Sequence, residues 1–372
     1  MLAVTFLFWV TLYIYVPTLP SYIKTKTELL SKVGFVLSMY GLWMAFARLP
    51  MGLLVDWIGW GKPLIILGLF FASFGAFIMG KGKTLGMLTV GRALTGVSAA
   101  TWVPLIAVFS TFFSAEQAIL ASSMLTFSAS FGRMISTSIT GFLTRMGGYS
   151  FPFFLAAVTG ILAIITIFFV KEERRPPNRA SLLSLYKLIS RQDVLLPTII
   201  SIVLHYAEMS VTFGFLPILA HQMGANDIVK SVLIGLNISA ISAANLLNTF
   251  LLKKLQHVYL LLFGAFIYCM GILIIAYAPS ISVLFLGTMS MGFAFGIVYP
   301  IVMGMSIENV DRSQRTSAMG IHQSFYAVGM FTGPWLNGIV ADRFGIRTMF
   351  LITAGFYFLA VYFFIYLLAR KK

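Results

Sequence analysis

The amino-acid sequence predicts an all-α integral membrane protein, with twelve transmembrane helices forming two pseudo-symmetric six-helix bundles. Three observations carry this prediction. Of 372 residues, 59% are hydrophobic and 10% charged, and the mean hydropathy is +0.94, whereas an average soluble domain is roughly 25% charged. About twelve apolar runs, each near the length that crosses a ~30 Å hydrocarbon layer as a helix, are separated by Gly, Pro or charged turns. The two halves also repeat one another: Gly91, Gly96 and Pro104 recur 196 positions later as Gly287, Gly292 and Pro300. Pro20/Pro217, Gly132/Gly329, Gly141/Gly338 and Gly148/Gly345 recur at an offset of 197.

The runs fall at 2–22, 33–55, 63–79, 85–113, 118–143, 151–170, 196–220, 232–252, 258–278, 281–307, 318–340 and 348–368. The long polar interruption Lys171–Asp193, with its paired Pro176 and Pro177, divides six runs from six. This places an N-terminal bundle at 1–170, a cytoplasmic linker at 171–195 and a C-terminal bundle at 196–372. An even number of crossings puts both ends on one side. More than half of the 26 lysines and arginines lie in the segments sharing that side, which is therefore read as the cytoplasm. The expected location is the cytoplasmic membrane, multi-pass, with no cleavable signal peptide. The net charge of +15 is read as this topological bias and not as an affinity for nucleic acid. A monomer is expected.

Other chemistries lack their residues. One cysteine and four histidines without zinc spacing give no metal site and no internal disulfide. No H-E-x-x-H, G-x-S-x-G or G-x-x-x-x-G-K-[ST] sequence occurs, so neither an intramembrane enzyme nor an ATP-driven pump is indicated, and no cofactor is expected. Rings of like charge, as in a selective channel, are not evident.

Inside the runs the ionisable residues are few: Arg92, Arg133, His205, Glu208 and His322. Each is costly in hydrocarbon, at least ~2.5 kcal/mol for a central arginine, so each is expected to face a wet or polar interior. His205 and Glu208 stand three residues apart and are expected to share one cavity. Desolvation raises a carboxyl's hold on a proton and a nearby cation lowers it, the property a coupling site needs, so Glu208 is the candidate proton carrier with His205 its modulator. The competing reading is a static ion pair of Glu208 with Arg92 or Arg133. Arg92 suits an anionic group or a free backbone carbonyl. Arg133 suits an anchor for solute or a latch between halves, with Asn237, Ser239, Asn245 and Asn248 as facing polar groups. Trp9 and Tyr13 are candidates to stack on a planar solute or to pack. His322, Gln323 and Tyr326 form a polar wall or helix-to-helix hydrogen bonds. Pro20 and Pro217 are expected to bend matched helices at the outer gate.

These residues and motifs resemble the major facilitator superfamily of secondary transporters. The loop after the second run reads Arg48-Leu-Pro-Met-Gly52-Leu-Leu-Val-Asp56-Trp-Ile-Gly59-Trp-Gly-Lys62. It is similar to the family's G-x-L-x-D-R-x-G-R-K/R signature at Gly52, Asp56, Gly59 and Lys62, with Trp57 and Trp60 where basic residues are usual. Arg92 followed by Gly96 matches the fourth-helix signature. The fifth-helix glycine-proline pattern of drug/proton antiporters is largely absent, and Gly333-Pro334 stands instead in the eleventh run. The resemblance implies a solute site between the bundles, worked by alternating access, and assigns conformational gating to Arg48, Gly52, Asp56, Gly59, Lys62 and Gly96. Asp56 is expected against the start of the eleventh helix, near 313–318, or as an ordinary turn residue. Two arginines against one acid lean toward a small anionic or zwitterionic organic solute, moved with protons. The alternative is export of hydrophobic or cationic drugs.

Overall fold

The computed structural model describes residues 1–114, 117–172, 174, 188–252, 254–311 and 314–370. Most of the expected linker, Lys253, Arg312 and Ser313 lie outside the described residues. Among the described residues twelve helical spans run back and forth in chain order. They are α1 Leu2–Lys24, α2 Leu30–Ile58, α3 Lys62–Gly80, α4 Leu85–Ser110, α5 Ala118–Gly147 and α6 Ser150–Phe168, then α7 Gln192–Gln222, α8 Asp227–Leu251, α9 His257–Tyr277, α10 Ile281–Glu308, α11 Arg315–Phe344 and α12 Ile346–Ala369. Ten are long and apolar enough to cross a membrane by composition alone. The other two, α5 and α11, have 30 residues each and are threaded with Ser, Thr and Gly. Both face the opposite half of the molecule.

The sequence repeat is a packing repeat. Lipid tails compete with apolar side chains for helix surfaces, so close helix pairs are made where small residues let backbones touch. A Cβ on Gly91 would run into the Gly75 carbonyl, and one on Gly287 into the Gly271 carbonyl. Gly96 lies on the backbone of Tyr40, and Gly292 on the backbone of Asn237. Across the two halves, Gly141 lies on Asp227 and Gly338 on Leu30. Each contact in one half thus has its counterpart 196 or 197 positions along, and the contact between halves is itself duplicated. Two helix pairs form the seam: α2 with α11, where Gly34 meets the Pro334 carbonyl and Gly41 the Met330–Phe331 backbone, and α5 with α8, where Ser138 meets Gly235.

The prolines break the helices where the repeat puts them. Before Pro20, α1 tightens into a 3₁₀ turn at Val16–Thr18, and before Pro217, α7 widens into a π turn at Val211–Phe215. A proline has no N–H for the preceding turn, and the chain answers by over- or under-winding. In α4 the helix is interrupted at Ala100–Thr101, three to four residues before Pro104, where a proline ring crowds the carbonyl.

The end of the bundle away from the termini is sealed across the seam. Leu30 N and Ser31 N donate to the Asp342 carboxylate at 2.6 and 2.9 Å, so an acid from α11 caps the positive start of α2. Lys230, on α8 and 1% exposed, pairs with Asp227 at 2.5 Å and donates to Ser21 Oγ of α1 at 2.8 Å.

Candidate functional site

At mid-depth the seam encloses a cavity of about 30 Å³, room for a water or two. Its lining includes Tyr13 of α1, Tyr40 of α2 and Arg92 of α4 from one half, with Met209 and Phe213 of α7 and Pro334 of α11 from the other. Arg92 is 7% exposed, and its guanidinium lies 4.5 Å from the Tyr40 ring centroid. Its Nε has no hydrogen-bond acceptor, and neither has Trp9 Nε1 nearby.

Arg133, on α5, stacks 4.7 Å over Trp9 and 5.9 Å from Tyr13, and otherwise reaches only the Ala129 carbonyl and Ser130 hydroxyl of its own helix. Of the asparagines set against it by sequence, Asn237 and Asn248 bond elsewhere, and Asn245 Oδ1 has no hydrogen-bond partner. Asn237 Nδ2 donates to the Thr288 carbonyl and Asn248 Nδ2 to the Ile297 carbonyl, both in α10, while Ser239 bonds back to Gly235. Trp9 and Tyr13 thus seat the Arg133 guanidinium, and each meets a further ring in a T-shaped contact, Trp9 with Trp102 and Tyr13 with Phe213.

Arg48, which opens the motif segment and falls within the second run, is 3% exposed in α2 and reaches across the seam. Its Nε donates to Gln323 Oε1 of α11 at 2.9 Å, and its guanidinium lies 6.0 Å from the Tyr326 ring. The reason is register: ten residues before the helix end, Arg48 is nearly three turns into the bundle.

The opposite wall is aromatic. His205 stacks on Tyr326 with centroids 4.0 Å apart and planes within 8°, and Phe295 and Tyr299 of α10 approach its edge. His205 Nδ1 bonds to the Ser201 carbonyl. His322 is fully buried behind this wall, with Thr198 Oγ1 and Ser201 Oγ each 3.0 Å from one ring nitrogen. It joins α7 to α11.

His205 and Glu208 are not brought together. A three-residue step leaves two helical side chains about 60° apart, and in this bundle that separates two environments. Glu208 turns into its own half, where the Tyr268 hydroxyl of α9 donates to Oε2 at 2.7 Å. Thr212 and Asn237 stand beside it, and it makes no ion pair among the described residues. Its other oxygen, Oε1, has no donor, and Asn237 Oδ1 also lacks one. Chamber and pocket are thus opposite in kind: unpaired donors around Arg92, unpaired acceptors around Glu208. The next residue, Met209, lines the central cavity, so the pocket lies one peptide from the chamber.

Of the gating motif, Gly59 caps α2 with φ 65°, a left-handed turn that glycine adopts freely. Gly52 lies against Val103 of α4. Glu172, just after α6, accepts from the backbone of Gly61 and Lys62 at 2.8 Å each, and Lys62 Nζ donates to the Phe168 and Val170 carbonyls. Arg174 stacks over Trp60 at 4.5 Å and so brings a cation to that end of the motif. Asp56 sits in the last turn of α2, and Ser313, at the start of the segment set against it, lies outside the described residues.

The sequence profile of the Major Facilitator Superfamily matches the chain twice, over residues 1–204 and 198–372. The chain belongs to the Major Facilitator Superfamily. Within that superfamily, Multidrug resistance protein 1 of Bacillus subtilis (strain 168) is 24% identical over 317 residues, covering 83% of this chain and 80% of the relative. Among solved structures, the nucleoside transporter NupG overlays with a TM-score of 0.80 at 16% identity, covering 98% of this chain and 97% of that one. A POT family transporter in complex with a thioalcohol conjugated peptide gives 0.85 at 11% identity, covering 100% and 95%. These overlays are likenesses of fold. As a superfamily member the protein is a multi-pass membrane transporter of small solutes.

Residues that sequence reasoning passed over include Tyr40, Phe213, Tyr268, Phe295 and Tyr299. Only repeat arithmetic offered a signal for some of them: Tyr40 is the counterpart of Asn237 at the 197 offset, and Tyr299 adjoins the repeated Pro300.

Proposed function

We propose that the protein is a secondary active transporter that moves a small organic anion by alternating access, coupled to protons through Glu208. One observation carries the substrate reading. Arg48, Arg92 and Arg133 line the seam at mid-depth, and none has a carboxylate partner among the described residues. Buried cations are kept where something pays their desolvation, and no protein acid does so here. An anionic group entering the chamber supplies acceptors to Arg92 Nε and Trp9 Nε1, which have none. Proton coupling rests on the pocket behind α7. A proton on Glu208 Oε1 turns an unpaired acceptor into a donor among acceptors. The wide turn at Val211–Phe215 connects that pocket to Phe213 and Met209 in the chamber wall.

Rocking of the halves requires the seam contacts to break. The candidates on the sealed end are the Asp342 cap on α2 and the Lys230–Ser21 bond, and Pro20 and Pro217 mark the bends beside them.

The test is ligand-dependent thermal stabilisation of the purified protein across organic acids, sugars, amino acids and drugs, since a bound solute raises apparent stability by mass action. Organic acids are expected to stabilise. A second reading, export of hydrophobic or cationic drugs, is favoured by the names of relatives such as Multidrug resistance protein 1 and by the aromatic wall of His205, Tyr299 and Tyr326. Stabilisation by lipophilic cations alone would establish it in place of the first.

A further inference from the structure

We infer that the solute carries at least two negative charges, and that Arg48 is its third cationic contact, held by Gln323 while the site is empty. This rests on the reading of the chamber as an anion site and narrows it.

The three arginines are arranged on one aromatic cluster. Arg92 lies 4.5 Å from the Tyr40 ring, Arg133 4.7 Å from Trp9 and Arg48 6.0 Å from Tyr326. Trp9, Tyr40 and Tyr326 pack in a single core cluster drawn from α1, α2 and α11, and Tyr13 of the same cluster lines the central cavity beside Arg92. A single carboxylate placed among them would leave two cations uncompensated, at least one of them buried. Two or three anionic groups on one small molecule match the set.

Arg48 is the corner held from across the seam, and by neutral groups alone. A guanidinium offers five N–H donors, and this one finds only neutral acceptors: Gln323 Oε1 at 2.9 Å, Met44 Sδ at 3.3 Å and the Ala99 carbonyl at 3.4 Å. A carboxylate makes shorter, roughly twice stronger, and often bidentate bonds to arginine, so it displaces an amide oxygen from such a seat. The amide belongs to α11 and the arginine to α2, on opposite sides of the seam. A cavity of about 30 Å³ cannot hold an organic acid, so the halves must part to admit one. Parting them withdraws Gln323 from Arg48 and leaves the guanidinium open to the incoming anion.

Benzoate, isophthalate and trimesate form a series on one ring with one, two and three carboxylates, and the ring suits the His205–Tyr326 wall. Kd for each is measured on the purified protein by calorimetry at fixed ionic strength. The expected result is a ladder in which each added carboxylate tightens binding about tenfold, the worth of one charge-assisted hydrogen bond to a buried arginine. Arg48→Gln is expected to compress the top of the ladder, abolishing most of the gain from isophthalate to trimesate. Gln323→Leu, which needs no charge removed from the fold, is expected to tighten trimesate by freeing Arg48. Equal affinities for the three acids would overturn this inference and leave the anion site standing. Binding of tetraphenylphosphonium with none of the acids would overturn the anion site itself.

Discussion

Glu208→Gln separates coupling from binding and from folding. The amide has the shape of the acid, and its carbonyl oxygen can still accept from the Tyr268 hydroxyl, now 2.7 Å from Oε2. Its NH₂ supplies donors beside Asn237 Oδ1 and so imitates the protonated carboxyl. The variant is therefore expected to fold and to bind solute, locked in the loaded state. One proton moving down one pH unit is worth ~1.36 kcal/mol, so one-to-one coupling sustains a roughly tenfold solute ratio per unit of gradient. In proteoliposomes carrying a one-unit pH gradient, the native protein is expected to approach that ratio. Glu208→Gln is expected to fall to an even distribution while still exchanging labelled for unlabelled solute. Accumulation by the variant equal to that of the native protein would refute Glu208 as the proton carrier.

Three further substitutions test the parts around the site. His322→Leu leaves Thr198 and Ser201 without their imidazole partner and is expected to cost ~1–3 kcal/mol of stability, read as a lower Tm, with solute Kd unchanged, because His322 joins helices behind the wall. Asp342→Asn weakens the charged cap on α2 by about 0.3–1 kcal/mol and is expected to raise labelling of a cysteine introduced at Ser31, since the sealed end then opens more often. Glu172→Ala removes the acceptor for two backbone N–H groups at the start of α3. It is expected to cost about 1 kcal/mol, again as a Tm shift, without altering solute affinity.

The sequence alone determined the architecture, because in a bilayer the governing quantities are one-dimensional. Span length, small residues at helix contacts and the offset of 196–197 are all properties of the string, and a duplicated chain packs its copies alike. For the same reason the string singled out the rare charges: a buried cation in hydrocarbon is costly whatever its neighbours. Its motif reading found the Gly59 turn and the Lys62 segment, where backbone conformation and local contacts follow from adjacent residues.

Tertiary structure alone decided what those charges meet. The sequence shows Arg48 as a charge within the second run but not its cross-seam contact, because its partner Gln323 lies 275 residues away and no local pattern pairs them. Glu208 and His205 share a helix and little else, since a turn of about 60° is enough to aim one at α9 and the other at the ring of Tyr326. His322 became a strut once both its nitrogens had found hydroxyls on α7. Helix positions are fixed by period and length, but the direction a side chain faces acquires meaning only when the neighbouring helix is in place.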